Sequence, residues 1–128
     1  NPAIGEAAMN LMITVSLMLN IVILIPVTLD LITEATWADQ AYGERSPARD
    51  ILLSVYLAIL LVSFALLIWK VPTAVAALLL VQVIYKVITP ITVGSVDHPV
   101  VATNLFVVAC HTVTLGLIWL SIGRSAVT

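Results

Sequence analysis

Residues 51–69, ILLSVYLAILLVSFALLIW, run for nineteen positions between Asp50 and Lys70 without a charge. At 1.5 Å of rise per residue a helix of this length covers about 28 Å, close to the ~30 Å hydrocarbon core of a bilayer. Three more intervals have the same character. Twenty-three uncharged residues lie between Glu6 and Asp30, and twenty-five separate His98 from Arg124. The interval from Lys70 to Asp97 holds twenty-six residues and one charge, Lys86. Lipid offers backbone groups no hydrogen-bond partner, so such segments must be helices or a closed barrel. A barrel needs period-2 alternation, and these runs are continuously apolar.

The whole composition agrees with the runs. Of 128 residues, 62% are hydrophobic and 9% charged, with a mean hydropathy of +1.18. A soluble domain carries about 25% charged residues, so this chain cannot cover a water-facing globule. The expected fold is an all-α integral membrane protein, a single four-span domain with helices at about 8–29, 47–69, 72–94 and 99–122. The first run lacks a basic leader and a small-residue cleavage pattern, so it is expected as a span and not as a removable signal. The net charge of −2 provides no basic patch for nucleic acid. The single cysteine, Cys110, lies deep in the last run and reads as a small apolar residue.

Turn chemistry sets the order of the spans. Ser46-Pro47 is a good helix opening, with serine as N-cap and proline at the first helical position. Lys70-Val71-Pro72 is too short a link for anything but antiparallel neighbours. Gly94-Ser95 closes the third span and Asp97-His98-Pro99 starts the fourth. The result is an up-down-up-down bundle with both termini on one side, where Trp69 and Trp119 fall at headgroup depth. The opposite side carries the longest loop, about residues 30–46. Within it Leu31, Ala35, Ala38 and Tyr42 follow helical spacing and Gly43 is a natural stop, so a short amphipathic helix is expected on the membrane surface, anchored by Trp37. Lys70 and Arg124 on one side balance Arg45 and Arg49 on the other, and Arg49 is expected to pair with the adjoining Asp50. The acidic loop, with Asp30, Glu34, Asp39 and Glu44, favours a bacterial inner-membrane placement with both termini cytoplasmic. Ile25-Pro26-Val27-Thr28 and Thr89-Pro90-Ile91-Thr92 form a four-residue echo, too short to argue duplication.

Polar side chains inside a membrane are costly and default to functional candidates. Counting residues from the helix ends places Asn20, Gln82, Lys86 and His111 in one slab near the midplane, with Asn104 on the same face as His111. Pro90 deprives the Lys86 carbonyl of its i+4 donor. Two structural readings of Lys86 compete with a site: its amine snorkels to the surface, or it pairs with Asp30. Asn20 and His111 both suit helix packing. A haem would need a second axial histidine, and His98 lies about 20 Å along the helix from His111. No phosphate loop, nucleophile elbow, CxxC or HExxH motif occurs, so no catalytic residue, metal site or cofactor is expected. The string Gly43-Glu44-Arg45-Ser46-Pro47-Ala48-Arg49-Asp50 is the most distinctive in the chain and carries no catalytic signature.

The leading expectation is therefore a non-enzymatic subunit or assembly factor of a membrane complex, or a homo-oligomeric scaffold. Its contacts would be the bilayer, its own copies or a larger complex, with Trp37, Tyr42, Asp39 and Glu44 as the docking surface. The alternative is a small oligomeric transporter or channel with the polar midplane site at its centre. A weaker alternative is a redox subunit in which Lys86 or His111 contacts a quinone or haem.

Overall fold

The computed structural model describes residues 2–95 and 97–127. They form five helices: α1 (Pro2–Ile32), α2 (Thr36–Tyr42), α3 (Pro47–Ile68), α4 (Pro72–Val93) and α5 (Pro99–Val127). No strand occurs among the described residues. Four of the helices are long and apolar enough to cross a membrane, and α2 is the short exception. The chain is all-α, with the helix inventory of a four-helix membrane bundle and a short helix between the first two spans.

Helix limits follow local chemistry. Ser46 Oγ accepts the Arg49 N–H at 3.1 Å, the N-cap bond that opens α3. Gly43 ends α2 at φ 85°, and Gly94 ends α4 in the left-handed region at φ 79°. Each donates its N–H back four residues, Gly43 to Asp39 O and Gly94 to Pro90 O, both at 2.9 Å. At the start of α5, His98 Nδ1 accepts the Val100 N–H at 3.2 Å, so the histidine side chain serves as a cap. Two helices outrun the sequence expectation: α1 begins at Pro2, not near residue 8, and α5 continues to Val127, not 122. Charge marks where lipid ends, but a helix need not stop there, and Glu6 and Arg124 ride on helical turns beyond the apolar runs. Pro26 lies inside α1 without ending it. Two residues on, the Thr28 hydroxyl bonds the Leu24 carbonyl at 2.7 Å.

The chain divides into two compact units, residues 1–16 with 69–128, and residues 17–68. In the first, α4 and α5 pack along one another. Their buried positions are Val75, Leu79, Gln82 and Lys86 on α4, and Val101, Asn104, Val107, His111, Thr114 and Ile118 on α5. Steps of three and four residues keep such a stripe on one face of each helix, as in a coiled-coil seam. The second unit holds the rest of α1 with α2 and α3. It buries Leu17, Ile21, Leu24 and Leu31 of α1, Ala38 of α2, and Tyr56, Ile59, Leu60 and Leu66 of α3. The outward positions of the spans are apolar, among them Val22, Leu61, Phe64, Leu80, Ile84, Phe106 and Val113. That division, polar within and apolar without, is the one a lipid solvent selects.

Candidate functional site

Ser16, Asn20, Ser63, Gln82, Lys86, Asn104, His111 and Thr114 are buried within the spans, and several of them form short ties between helices. In the unit built from α4, α5 and the start of α1, Lys86 and Asn104 are 7% and 8% exposed. Lys86 Nζ donates to Asn104 Oδ1 at 3.0 Å, joining α4 to α5. The Tyr85 ring centroid lies 5.2 Å from the same nitrogen, a cation–π distance. Further along α5 the Thr114 and Ser16 hydroxyls approach to 2.6 Å, joining α5 to α1. Thr114 Oγ1 is also within 3.1 Å of Met12 O and 3.2 Å of Cys110 O. His111 and Gln82 are fully enclosed. Gln82 Nε2 turns back to Leu78 O of its own helix, at a long 3.4 Å. Cys110 itself is half-buried.

The expected slab becomes a ladder. Lys86 bonds Asn104, which precedes His111 by seven residues and so by about 10 Å of helix. The polar groups of this unit are thus spread along the α4–α5 seam, with Lys86–Asn104 near one end and Ser16–Thr114 further in. Lys86 does not snorkel: it is 7% exposed, with its amine on Asn104. The Asp30 carboxylate accepts from Trp37 Nε1 at 2.7 Å.

The second unit has two polar features. Asn20 Nδ2 donates to Ser63 Oγ at 3.1 Å, tying α1 to α3. The larger feature is Arg49, whose side chain is only 3% exposed. Its guanidinium donates to the Asp39 carboxylate and the Gly43 carbonyl through Nη1, and to Leu31 O at 3.2 Å through Nη2. Leu31 lies in the last turn of α1 and Gly43 just after α2, so both carbonyls belong to helix C-termini that lack intrahelical donors. A planar cation with several donors suits two such termini and a carboxylate at once. Sequence adjacency pointed to Asp50 as the partner of Arg49, and the structure corrects this. Asp50 pairs instead with the exposed Arg45, at 3.5 Å. Neighbouring residues on a helix diverge by about 100°, so residues 49 and 50 look in different directions.

The four docking candidates fare unequally. Trp37 is 41% exposed and Glu44 is exposed. Tyr42 is half-buried, set edge-on between Trp37 and Tyr56 with ring centroids 6.3 and 6.1 Å away. Asp39 is held by Arg49. The α2 strap is therefore stapled down by an aromatic row and one arginine. Among the described residues no group of three His, Cys, Asp or Glu side chains could hold a metal ion.

An apolar groove of about 560 Å³ runs along the outer face of α4 and α5, floored by Ala76, Ala77 and Gly116 and walled by Leu80 and Trp119. A Cβ built on Gly116 meets nothing within 4 Å, so the groove is open above the backbone there. It holds none of the buried polar residues.

No protein-family model matches this chain, and neither a curated protein nor a solved structure is similar enough to match it.

Proposed function

We propose that this chain is a non-catalytic, multi-pass membrane subunit or scaffold that works as part of a larger assembly, either with its own copies or with a membrane partner. One observation carries the reading: three pairs of buried polar side chains within the spans tie helices to each other. Ser16 meets Thr114, Asn20 meets Ser63 and Lys86 meets Asn104. A catalytic or conducting centre would instead direct such groups into an open space. The groove described above is lined by apolar residues and the Thr112 side chain. What remains for contact outside the lipid is the stapled α2 strap, rigid enough to present Trp37 and Glu44 at the surface.

Extraction of the native membrane into polymer-bounded discs, followed by native mass spectrometry, tests this. The expected species is an oligomer or a stoichiometric complex heavier than the 13.7 kDa chain. A chain that is monomeric and alone at its native membrane density overturns the proposal.

A transport reading rests on a different observation, the cation within α4. Lys86 is the one charge between Lys70 and Asp97, and it is buried. In a transporter built around it, Lys86→Met abolishes flux in proteoliposomes while the helices persist. Flux equal to the parent chain removes that reading.

A further inference from the structure

We propose that Lys86 and Asn104 together form an intramembrane binding site for a small monovalent anion. The inference goes beyond the scaffold reading and does not depend on it, since an assembly subunit can hold a structural anion.

The argument begins with donor arithmetic. A lysine ammonium carries three N–H donors and no acceptor. One of these goes to Asn104 Oδ1 at 3.0 Å. The Tyr85 ring centroid, 5.2 Å from Nζ, adds a diffuse negative face. Two ammonium donors are left without an oxygen or nitrogen acceptor among the described residues. Asn104 adds to the excess. With Oδ1 turned to the lysine, its NH₂ group carries two more donors, and these too have no acceptor among the described residues. The pair therefore presents several donors and a positive charge, with both side chains more than nine-tenths buried.

The two helices that carry the pair supply no counter-charge. Neither α4 nor α5 contains an aspartate or glutamate. In the same compact unit the carboxylates are Glu6 and Asp97, both exposed and both outside the apolar runs. A buried charge without compensation is strongly unfavourable, and intramembrane lysines are normally paired. A cation would be repelled here. A neutral carbonyl would take up donors but leave the charge uncompensated. A small monovalent anion does both. The way in is short: Lys86 lies seven residues from Val93 and Asn104 five from Pro99, roughly 10 Å or less from those helix ends.

Chloride is the probe. The full chain is reconstituted in nanodiscs of zwitterionic lipid, and ³⁵Cl line broadening is followed at constant ionic strength with gluconate as the balancing anion. The parent protein is expected to broaden the line saturably beyond empty discs. Lys86→Met should weaken this at least tenfold, whereas Lys70→Met, at an exposed cation, should leave it. Because Lys86→Met may be read only if it folds, Asn104→Asp is the second variant: it places a carboxylate beside the ammonium and fills the site from within. Asn104→Asp should fold, by circular dichroism and gel filtration, and lose the saturable component. Parent protein no different from empty discs, or folded Asn104→Asp as effective as the parent, overturns the proposal.

Discussion

Replacing Arg49 by methionine keeps most of the side chain's apolar length and removes the group that gathers Leu31 O, Gly43 O and the Asp39 carboxylate. Hydrogen bonds to charged groups contribute about 1.5–3 kcal/mol each. That range cannot simply be multiplied by three. Asp39 is 39% exposed and regains water when its partner goes, so its share falls towards the value of a surface pair. Leu31 O faces a side chain only 3% exposed, and it loses a donor in a place water does not readily fill. Together these give a loss of about 3 kcal/mol, comparable to breaking a partly buried charge pair. The loss is local, because the three acceptors all belong to residues 31–43. It should therefore appear as opening of the strap and not as unfolding of the spans.

Hydrogen exchange in nanodiscs reads this directly. The informative amides are Asp39, bonded to Ala35 O, and Gly43, bonded to Asp39 O. At about 1.4 kcal/mol per decade, 3 kcal/mol corresponds to a loss of protection on the order of 100-fold. Amides in the middle of α3 should be unaffected. Arg49→Lys keeps the charge but not the planar fork, and should lie between the two. If Arg49→Met leaves the protection of Asp39 and Gly43 unchanged, the arginine is not the clasp and the strap is held by its aromatic row alone.

Gly43 combines φ 85° with ψ 172°, a conformation that is nearly glycine-only, so Gly43→Ala should destabilise the strap by about 1–3 kcal/mol. Exchange at the Gly43 turn measures it, and unchanged protection would mean the turn relaxes without strain. The Asn20–Ser63 tie is open to a double-mutant cycle with Asn20→Leu and Ser63→Ala, read by unfolding in mixed micelles. A coupling of about 0.6 kcal/mol, and no more than about 2, is expected for one hydrogen bond between membrane helices. A coupling of zero would show that the two residues do not depend on each other.

The four spans were legible because lipid imposes one demand, an uncharged run long enough to cross, and the intervals flanked by Glu6, Asp30, Asp50, Lys70, Asp97 and Arg124 meet it. Ser46, Gly43 and Gly94 could be read as helix limits because each has a conformational reason independent of tertiary structure. Sequence was weaker wherever a partner had to be chosen. Lys86 and Asn104 were both candidates, but depths counted from assumed helix ends placed the lysine with His111. A small offset between two antiparallel helices is enough to exchange one partner for another. Arg49 was misread for a related reason: adjacency to Asp50 is obvious in the sequence, whereas the approach of Leu31 O, Asp39 and Gly43 depends on how the chain returns on itself. The cap formed by His98 had no such excuse, since a side-chain acceptor two residues before an unsatisfied helical N–H is a local signal.

The bond between Lys86 and Asn104 also has a consequence for biogenesis. The lysine leaves the ribosome eighteen residues before Asn104, the side chain that accepts its hydrogen bond. On insertion scales a lysine in a span opposes entry, by roughly 2.5–3.5 kcal/mol at the centre and by less towards an end where Lys86 lies, and α4 is the least apolar of the four spans. For that interval α4 has a donor and no acceptor. It follows that α4 and α5 are best delivered to the bilayer as one hairpin, the earlier helix waiting at the translocon until the later one brings the amide that completes it.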